Sequence, residues 1–250
     1  MQLLALDTST DRMSVAVGRS FDGREQVWSD EAEGGAQASS RLIPMIRAQM
    51  ARAGLAFSDL DAIVFGRGPG AFTGLRTSCA VAQGLALGAR ADAPGASPLP
   101  VLPLDSLMAV AEQARFVHGG SQQPWDVLAM LDARMDEVYW GSYRWNANQW
   151  QVLVPPALAR PTELPYVSGQ VLAGNVFTTY GDRLPAGSAG ALQVAALPLA
   201  SAMLRLAPAL LAQGQGVDPA LALPMYIRDK VASTTAERAA AKVAVAQAAS

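Results

Sequence analysis

Two aspartates in this chain of 250 residues stand where phosphate or metal chemistry would want them. Asp7 closes the apolar run Leu3-Leu4-Ala5-Leu6 and is followed by three hydroxyls, Thr8, Ser9 and Thr10. Asp132 closes Val127-Leu128-Ala129-Met130-Leu131 in the same way. Each is followed four residues later by another aspartate, Asp11 and Asp136, so Leu4-Ala5-Leu6-Asp7 and Ala129-Met130-Leu131-Asp132 superpose as an internal repeat. Carboxylates at strand ends can hold an oxygen-preferring cation with a nucleotide or activate a nucleophile, and neighbouring hydroxyls can add phosphate contacts. Aspartate at a strand end also caps or bends a turn, which requires no ligand.

A second candidate is the glycine-rich turn Gly66-Arg67-Gly68-Pro69-Gly70. It lies between the apolar run Ala62-Ile63-Val64-Phe65 and a helical stretch that starts at Ala71 or Phe72, passes Thr73 and Gly74, and runs to about Leu87 before Gly88. Alternate glycines permit positive φ and close backbone approach, and the helix amides facing them could hold an anion. The spacing is not that of a Walker loop, because Gly74 is followed by Leu75-Arg76, nor that of a dinucleotide fingerprint. A structural turn and an anion site therefore both stay open. Further along, Cys79, Ala80, Ala82, Gly84 and Ala86 leave the helix little bulk, so another backbone can come close, within the fold or across an interface.

Composition removes several classes. With 51% hydrophobic and 16% charged residues the chain is globular. Lys and Arg total 19 against 21 acidic residues, without an evident basic cluster, so tight nucleic-acid binding is expected only through a partner. The single histidine, His118, sits beside Gly119-Gly120 in a connector, which argues against a His-based metal site or a catalytic triad. Cys79 is the only cysteine, so no internal disulfide can form. No apolar run approaches the roughly 20 residues that span a bilayer, and Met1 to Asp7 lacks a signal-peptide pattern, so no membrane association and a cytoplasmic location are expected. In the second half Gly169, Gly174, Gly181, Gly187 and Gly190 are scattered and form no compact nucleotide loop.

These features need strands and helices to position them. Strands are predicted over 2–7, 13–17 and 26–31, with a turn at Asp22-Gly23, making a three-stranded meander. A helix capped by Ser39 or Ser40 follows, with Leu42, Met45, Ile46, Gln49, Met50 and Ala53 on one face and Gly54 at its end. After the strand, glycine turn and helix come a loop over 92–98, a short strand at Val101-Leu102, and a helix from Asp105 or Ser106 to Phe116. Past a linker at 119–124 a second meander is predicted over 127–132, 138–145 and 149–154. A Pro-rich crossover, a strand over 171–174, irregular chain and a helix over 198–213 complete this half, and the Ala-rich tail after Asp229 is predicted to be a loose helix or disordered. The order is that of an α/β, two-lobed actin-like (ASKHA, RNase H-like) fold, with an N-terminal lobe over 1–105, an abbreviated C-terminal lobe over 106–228 and the tail over 229–250.

Four stretches carry a family resemblance. Gly66 to Arg76 with Gln83-Gly84-Leu85-Ala86-Leu87-Gly88, Leu6 to Thr10, Leu131 to Trp140, and Pro224 to Asp229 resemble the motifs of the TsaB (YeaZ) family. That resemblance implies a non-catalytic scaffold without cofactor or metal. It would pair with a TsaD-like transferase subunit and a TsaE-like ATPase to make threonylcarbamoyladenosine beside the anticodon of tRNAs that read ANN codons. The threonylcarbamoyl-adenylate would come from a separate enzyme, tRNA would be reached only through the complex, and the chain alone would form a homodimer. Asp7, Thr8, Ser9, Thr10 and Asp132 would then mark a vestigial nucleotide cleft. Relatives often carry a histidine where Ala38 stands here, just before Ser40-Arg41-Leu42-Ile43-Pro44, a departure that argues further against transferase or peptidase chemistry. The implied partner interface uses Leu42, Met45, Ile46, Met50, Arg76, Ala80, Gln83, Gly84 and Leu87, although the same apolar stripes could be core. The alternative function is an ATP-dependent transferase or phosphotransferase using Asp7 and Asp132 across the cleft.

Overall fold

The computed structural model describes residues 1–21, 24–91, 95, 97–119 and 124–228. The Asp22-Gly23 turn, much of the 92–98 loop and the 119–124 linker, and the tail from 229 onward lie outside the described residues. Two five-stranded sheets form the framework. In the first, β1 (Gln2–Asp7) pairs antiparallel with β2 (Arg12–Phe21) and parallel with β4 (Ala62–Gly68); β3 (Arg24–Glu33) and β5 (Val101–Asp105) lie at the edges, giving the order β3-β2-β1-β4-β5. In the second, β6 (Trp125–Arg134), β7 (Glu137–Asn146), β8 (Gln149–Ala159), β9 (Val171–Gly174) and β10 (Gln193–Ala195) follow the order β8-β7-β6-β9-β10. The two orders correspond strand for strand. β1 and β6, the strands that carry the repeated motif, hold the same central place, with a meander on one side and parallel partners on the other.

Side chains alternate along a strand, so a strand covered on both faces has to be apolar throughout. Leu4 and Leu6 of β1 pack with Leu42, Ile46, Met50, Cys79 and Ala82 of α1 (Ala38–Ala53) and α2 (Phe72–Gly88). Leu3 and Ala5 face the other way, against Ala202, Met203 and Leu206 of the last long helix, here α5 (Ala200–Ala212). The helix α3 (Ser106–Val117) sends Leu107, Val110 and Ala114 onto Val127, Ala129 and Leu131 of the second sheet. In chain order α3 follows the first sheet but lies against the second, and α5 follows the second sheet but lies against the first. A cut at 105 separates the sheets but not the packing. The outer face of the second sheet, with Leu128, Met130 and Leu172, is covered only by the one-turn α4 (Phe177–Tyr180) and irregular chain.

The two closing helices are tied through Glu112, whose carboxylate is almost wholly buried. It accepts hydrogen bonds from Arg115 at 2.8 and 2.9 Å, from the Trp150 indole at 3.0 Å and from Arg205 of α5 at 2.8 Å. Burial alone would raise this carboxyl, but these donors outweigh it and hold it below the usual glutamate value.

Several boundaries differ from the sequence expectation for local reasons. Pro155-Pro156 are not a crossover but part of β8, an edge strand, at a break in its pairing with β7, where missing amides cost no ladder bond. Gln193–Ala195, read as irregular chain, is the fifth strand of the second sheet. Ser39 and Ser40 do not cap α1, which grows out of a 3-10 turn at Gly35–Gln37; the Ser40 hydroxyl instead donates to the Gln37 carbonyl at 3.0 Å. Asp105 occupies the N-cap position of α3, yet its carboxylate accepts from Arg67 Nε at 2.5 Å rather than from helix amides. Gly54 ends α1 at φ 65° as anticipated.

After α5 the chain turns back over the first lobe. Val217 bridges Val101, and the Gln83 amide of α2 donates to the carbonyls of Pro219 and Ala222 at 2.9 and 3.0 Å. Met225 N donates to Arg67 O at 2.6 Å, and Arg228 then pairs with Glu137 of the second lobe. This C-terminal segment thus spans both lobes.

Candidate functional site

A cleft of about 240 Å³ opens between the lobes. Its walls are Ser9, Thr10 and Asp11 of the β1–β2 turn, Gly70 and Phe72 of the glycine turn, Asp132 and Arg134 of the β6–β7 turn, and Tyr226 and Arg228 of the C-terminal segment.

Asp7 is not part of that wall. It is 1% exposed, with one oxygen accepting from the Ser9 amide at 2.9 Å and the Ser9 hydroxyl at 2.7 Å, and the other from the Ser106 hydroxyl at 3.4 Å. Burial pushes its pKa up to about 7, and the three hydrogen bonds only partly oppose the rise. Thr8 also turns inward, donating to the Gly74 carbonyl at 2.7 Å. Of residues 7–10 only Ser9 and Thr10 reach the cleft, and Thr10 Oγ1 is engaged with the Arg12 backbone at 3.0 Å.

The glycine turn explains why. A Cβ at Gly66 would overlap the Asp7 carboxylate, one at Gly70 the Ser9 backbone, and one at Gly74 the Thr8 carbonyl. Gly68 has φ +120°, and a Cβ there would come 2.6 Å from the Met225 carbonyl. The Ala71 amide donates to Ser9 O at 2.7 Å. Close approach of backbone at Gly68, Gly70 and Gly74, and of the Asp7 carboxylate at Gly66, therefore accounts for these glycines, with Pro69 buried between them and Thr73 exposed beside them. No phosphate is needed to explain the turn.

Of the two aspartates that close β1 and β6, Asp132 is the one that borders the cleft, and it is already partnered. One oxygen accepts from the Arg134 amide and the Tyr180 hydroxyl, each at 2.8 Å, and the other from Arg134 Nη1 at 2.9 Å. The other guanidinium nitrogen of Arg134 pairs with Asp11 of the first lobe. Asp11 first and Asp132 second hold the guanidinium firmly protonated. Arg134, Met135 and Asp136 all have left-handed backbones, at φ 61°, 58° and 59°. Such residues cost about 1–3 kcal/mol each unless the surroundings fix them. Here Arg228 donates to the Arg134 carbonyl at 3.3 Å and Arg183 to Asp136 at 3.0 Å, fixing the turn that aims Arg134 across the cleft.

The expectation that Asp7 and Asp132 face each other across an open cleft is thus corrected. One is sealed beneath glycine, and the other holds a guanidinium where a cation would need to bind. Among the described residues no group of three or more His, Cys, Asp or Glu could hold a metal. His118 stacks on Trp125 at 5.6 Å, and burial raises the Cys79 thiol above its ordinary value. Neither borders the cleft.

The implied interface divides into two groups. Leu42, Ile46 and Met50 are core residues, 0, 0 and 3% exposed, because their i, i+4, i+8 stripe faces the first sheet; Met45 packs against the same cluster. They are corrected from interface to core. Gln83 is partly buried, and its amide holds the C-terminal segment. Arg76, Ala80, Gly84 and Leu87 lie exposed, and a Cβ on Gly84 would meet nothing within 4 Å. Arg134, Asp11 and Tyr180 were not anticipated as a bridge, although the repeat had flagged Asp11 as the second aspartate of its motif. Exposed Leu221, Leu223 and Tyr226 were also missed; Tyr226 lies 5.0 Å from the Phe72 ring and accepts from Arg76 at 3.2 Å.

Comparison with known proteins adds the relatives. A family model described as TsaD, tRNA N6-adenosine threonylcarbamoyltransferase, matches residues 33–249. The chain is 32% identical over 243 residues to the tRNA threonylcarbamoyladenosine biosynthesis protein TsaB of Escherichia coli (strain K12), covering 93% of this chain and 96% of that one. It is 33% identical over 248 residues to the protein of the same name from Haemophilus influenzae, covering 92% and 95%. The structure of YeaZ from Pseudomonas aeruginosa aligns with a TM-score of 0.76 at 37% identity, over 90% of this chain and 99% of that one. A second structure, described as an uncharacterized protein with similarity to peptidase YeaZ from Pseudomonas aeruginosa, aligns at 0.75 and 37%.

Proposed function

The chain belongs to the TsaB (YeaZ) family, within the wider TsaD family, and from that premise we propose that it is a non-catalytic scaffold for threonylcarbamoyladenosine formation on tRNA. In this role it binds a TsaD-like transferase subunit, which does the chemistry, and works with a TsaE-like ATPase. tRNA is reached only through the complex, and the chain alone forms a homodimer through the same face, as closed two-fold assemblies commonly do.

The observation that supports a scaffold over an enzyme is the Arg134 bridge. A site for transferring phosphates needs free carboxylates for the metal and donors aimed at the transferring group. Here the one carboxylate bordering the cleft at the repeat position is neutralised, and the guanidinium that neutralises it is tied to the opposite lobe. The bridge, the Glu112 network and the C-terminal segment all join the lobes, so the outer helical layer is presented on a fixed body. A scaffold of this kind activates its partner by binding the partner's active conformation more tightly than its inactive one. The reading as a peptidase draws no support from the site, since neither Cys79 nor His118 borders the cleft.

The test is tRNA modification in a reconstituted mixture of the TsaD-like subunit, the TsaE-like ATPase, tRNA and threonylcarbamoyl-adenylate. Asp132→Ala/Arg134→Ala removes the carboxylate and its cation together. We expect modification to continue at the parent rate while binding to the transferase subunit is retained. Loss of modification with binding intact would return a chemical role to the cleft.

A further inference from the structure

A second cavity, of about 450 Å³, opens between α3, α5 and the β7–β8 hairpin and shares no lining residue with the cleft. The hairpin supplies an aromatic wall. Trp145 and Trp150 are partners across the ladder and so stand on the same side of it, with ring centroids 5.4 Å apart. Leu104 of β5 with Leu206 and Leu210 of α5 add apolar wall, and the exposed Ala209 and Gln213 of α5 border the opening.

Two guanidiniums share one carboxylate in this cavity. Arg115 of α3 and Arg205 of α5 both line it, and both donate to the same oxygen, Oε1 of Glu112, at 2.9 and 2.8 Å. Glu112 is 1% exposed and its carboxyl is held below the usual glutamate value, so it carries one negative charge at neutral pH. The other charged residues of the wall, Arg67 and Asp105, pair with each other at 2.5 Å. The wall therefore holds one positive charge more than its carboxylates balance.

Packing does not require that surplus. Glu112 and Arg115 both belong to α3, so Arg205 alone ties α5 to α3. The side chains of Arg115 and Arg205 are only 16 and 24% exposed, which leaves the extra charge poorly screened. Each guanidinium also has a nitrogen to offer. Arg115 gives Nε and Nη2 to Glu112, while Arg205 gives Nε to Glu112 and Nη2 to Gln113 at 2.8 Å. Nη1 of both has no hydrogen-bond partner among the described residues. Arg115 sits 4.1 Å from the centre of the Trp145 ring and Arg205 4.1 Å from that of Phe116, contacts that hold both groups in place.

We propose that this cavity binds a small organic carboxylate with a flat apolar body. The carboxylate balances the surplus charge and accepts from the two Nη1 groups, and the body lies against the tryptophans and leucines. One negative charge matches a surplus of one, whereas a phosphate monoester brings nearly two. The volume lies within the range of small-molecule sites, about 300–1,000 Å³. This site does not depend on the scaffold function. Its occupant, held by α3 and α5 together, strengthens the packing between the lobes.

Calorimetric titration of the full chain with 2-naphthoate tests the proposal, beside the neutral 2-naphthalenemethanol, 2-naphthyl phosphate and acetate. One site is expected for 2-naphthoate, with the alcohol about tenfold or more weaker for want of charge-assisted hydrogen bonds, and acetate weaker still for want of the apolar body. Saturating 2-naphthoate should also raise the thermal midpoint. Ala209→Trp fills the cavity from an exposed helix position and should abolish binding. Gln213→Glu sets a negative charge at the border and should weaken binding about threefold or more. Circular dichroism shows whether each variant folds, and if Ala209→Trp does not, Gln213→Glu decides. Equal binding of acid and alcohol would overturn the proposal by making the cavity merely apolar, and tighter binding of the phosphate would overturn the carboxylate class. Binding that survives Ala209→Trp in a folded chain or ignores Gln213→Glu would place 2-naphthoate elsewhere, and no binding at about 1 mM would leave no site to explain; either result overturns the inference.

Discussion

Replacing Asp7 with asparagine should stabilise the protein, and only above the acidic range. The carboxyl is fully buried and its pKa moves from 3.8 to about 7. The native state therefore keeps its proton at pH values where the unfolded chain has already lost it. Stability from this group is full below 3.8, falls as the pH rises through the interval, and levels off above about 7. At about 1.4 kcal/mol per pH unit, the ionised carboxylate costs the native state about 4 kcal/mol at pH 8. Asparagine removes that cost while keeping the geometry. Its carbonyl can still accept from the Ser9 amide and hydroxyl, and its amide can donate to the Ser106 hydroxyl in place of the bond it now receives. Urea unfolding of parent and Asp7→Asn at intervals from pH 5 to pH 9 gives the difference directly, because every other titrating group is common to both. The variant's advantage should grow by about 2–3 kcal/mol between pH 5 and pH 8, from at most about 1.6 to at most about 4 kcal/mol, with any imperfect amide fit lowering both ends equally. A constant difference across the range would refute the burial of an ionisable Asp7, as would a variant that loses stability only at high pH.

Four further outcomes test the packing and the proposed interface. Gly74→Ala drives a Cβ into the Thr8 carbonyl, so it should lose about 1–3 kcal/mol or fail to fold, whereas exposed Gly84→Ala should gain about 0.5–1 kcal/mol; comparing their thermal midpoints decides the matter. Gly84→Trp should melt like the parent yet bind the transferase subunit more weakly in a pull-down, and a variant that unfolds would place Gly84 in the core. Ile46→Ala should cost about 2–5 kcal/mol in the isolated chain, and an unchanged stability with weakened partner binding would return Ile46 to the interface. Glu112→Gln leaves two guanidiniums around a neutral amide and should cost about 3–5 kcal/mol near neutral pH. Because the Glu112 carboxyl sits below its ordinary 4.5, that cost should shrink as the pH falls under this value and the parent's own carboxylate takes up a proton.

The central strands were legible because they are covered on both faces and so read as short unbroken apolar runs. β1 and β9 fall on the predicted residues, and the doubled Asp motif identified β1 and β6 as equivalent before any sheet order was known. What sequence could not give was direction. Leu42, Ile46 and Met50 make the same i, i+4, i+8 stripe whether a sheet or another subunit lies over it, so core and interface look alike until the sheet is in place. The glycines posed the same difficulty. Alternate glycines before a helix suit an anion site as well as a structural turn, yet what excludes a Cβ at Gly66 and Gly74 is Asp7 and Thr8, brought there by the parallel pairing of β1 and β4. The exchange of α3 and α5 between sheets was likewise invisible, since each helix has an apolar face that suits either sheet.

The Arg134 bridge bears on the repeat's two readings, a ligand site or a pair of turns. Duplicated strand ends place one carboxylate at the base of each lobe, and in an enzyme both would have to stay free. Here the first is capped by Ser9 and covered by Gly66, so it is sealed in a region where charge is costly. The second acquires a cation two residues downstream, held there by three left-handed residues, and that cation also reaches Asp11. Exposed ion pairs of this kind contribute little stability, about 0–1 kcal/mol. Their consequence is geometric: opening the cleft to admit a nucleotide would have to break the bridge to Asp11, the Arg228 pair with Glu137 and the C-terminal segment's hold on α2 together. A body that resists such opening is poorly suited to bind and release a substrate. On the scaffold function proposed above, such a body holds the exposed face of α1 and α2 at a fixed angle, and substitutions at exposed Arg76, Ala80, Gly84 or Leu87 should then cost more function than substitution of buried Asp7.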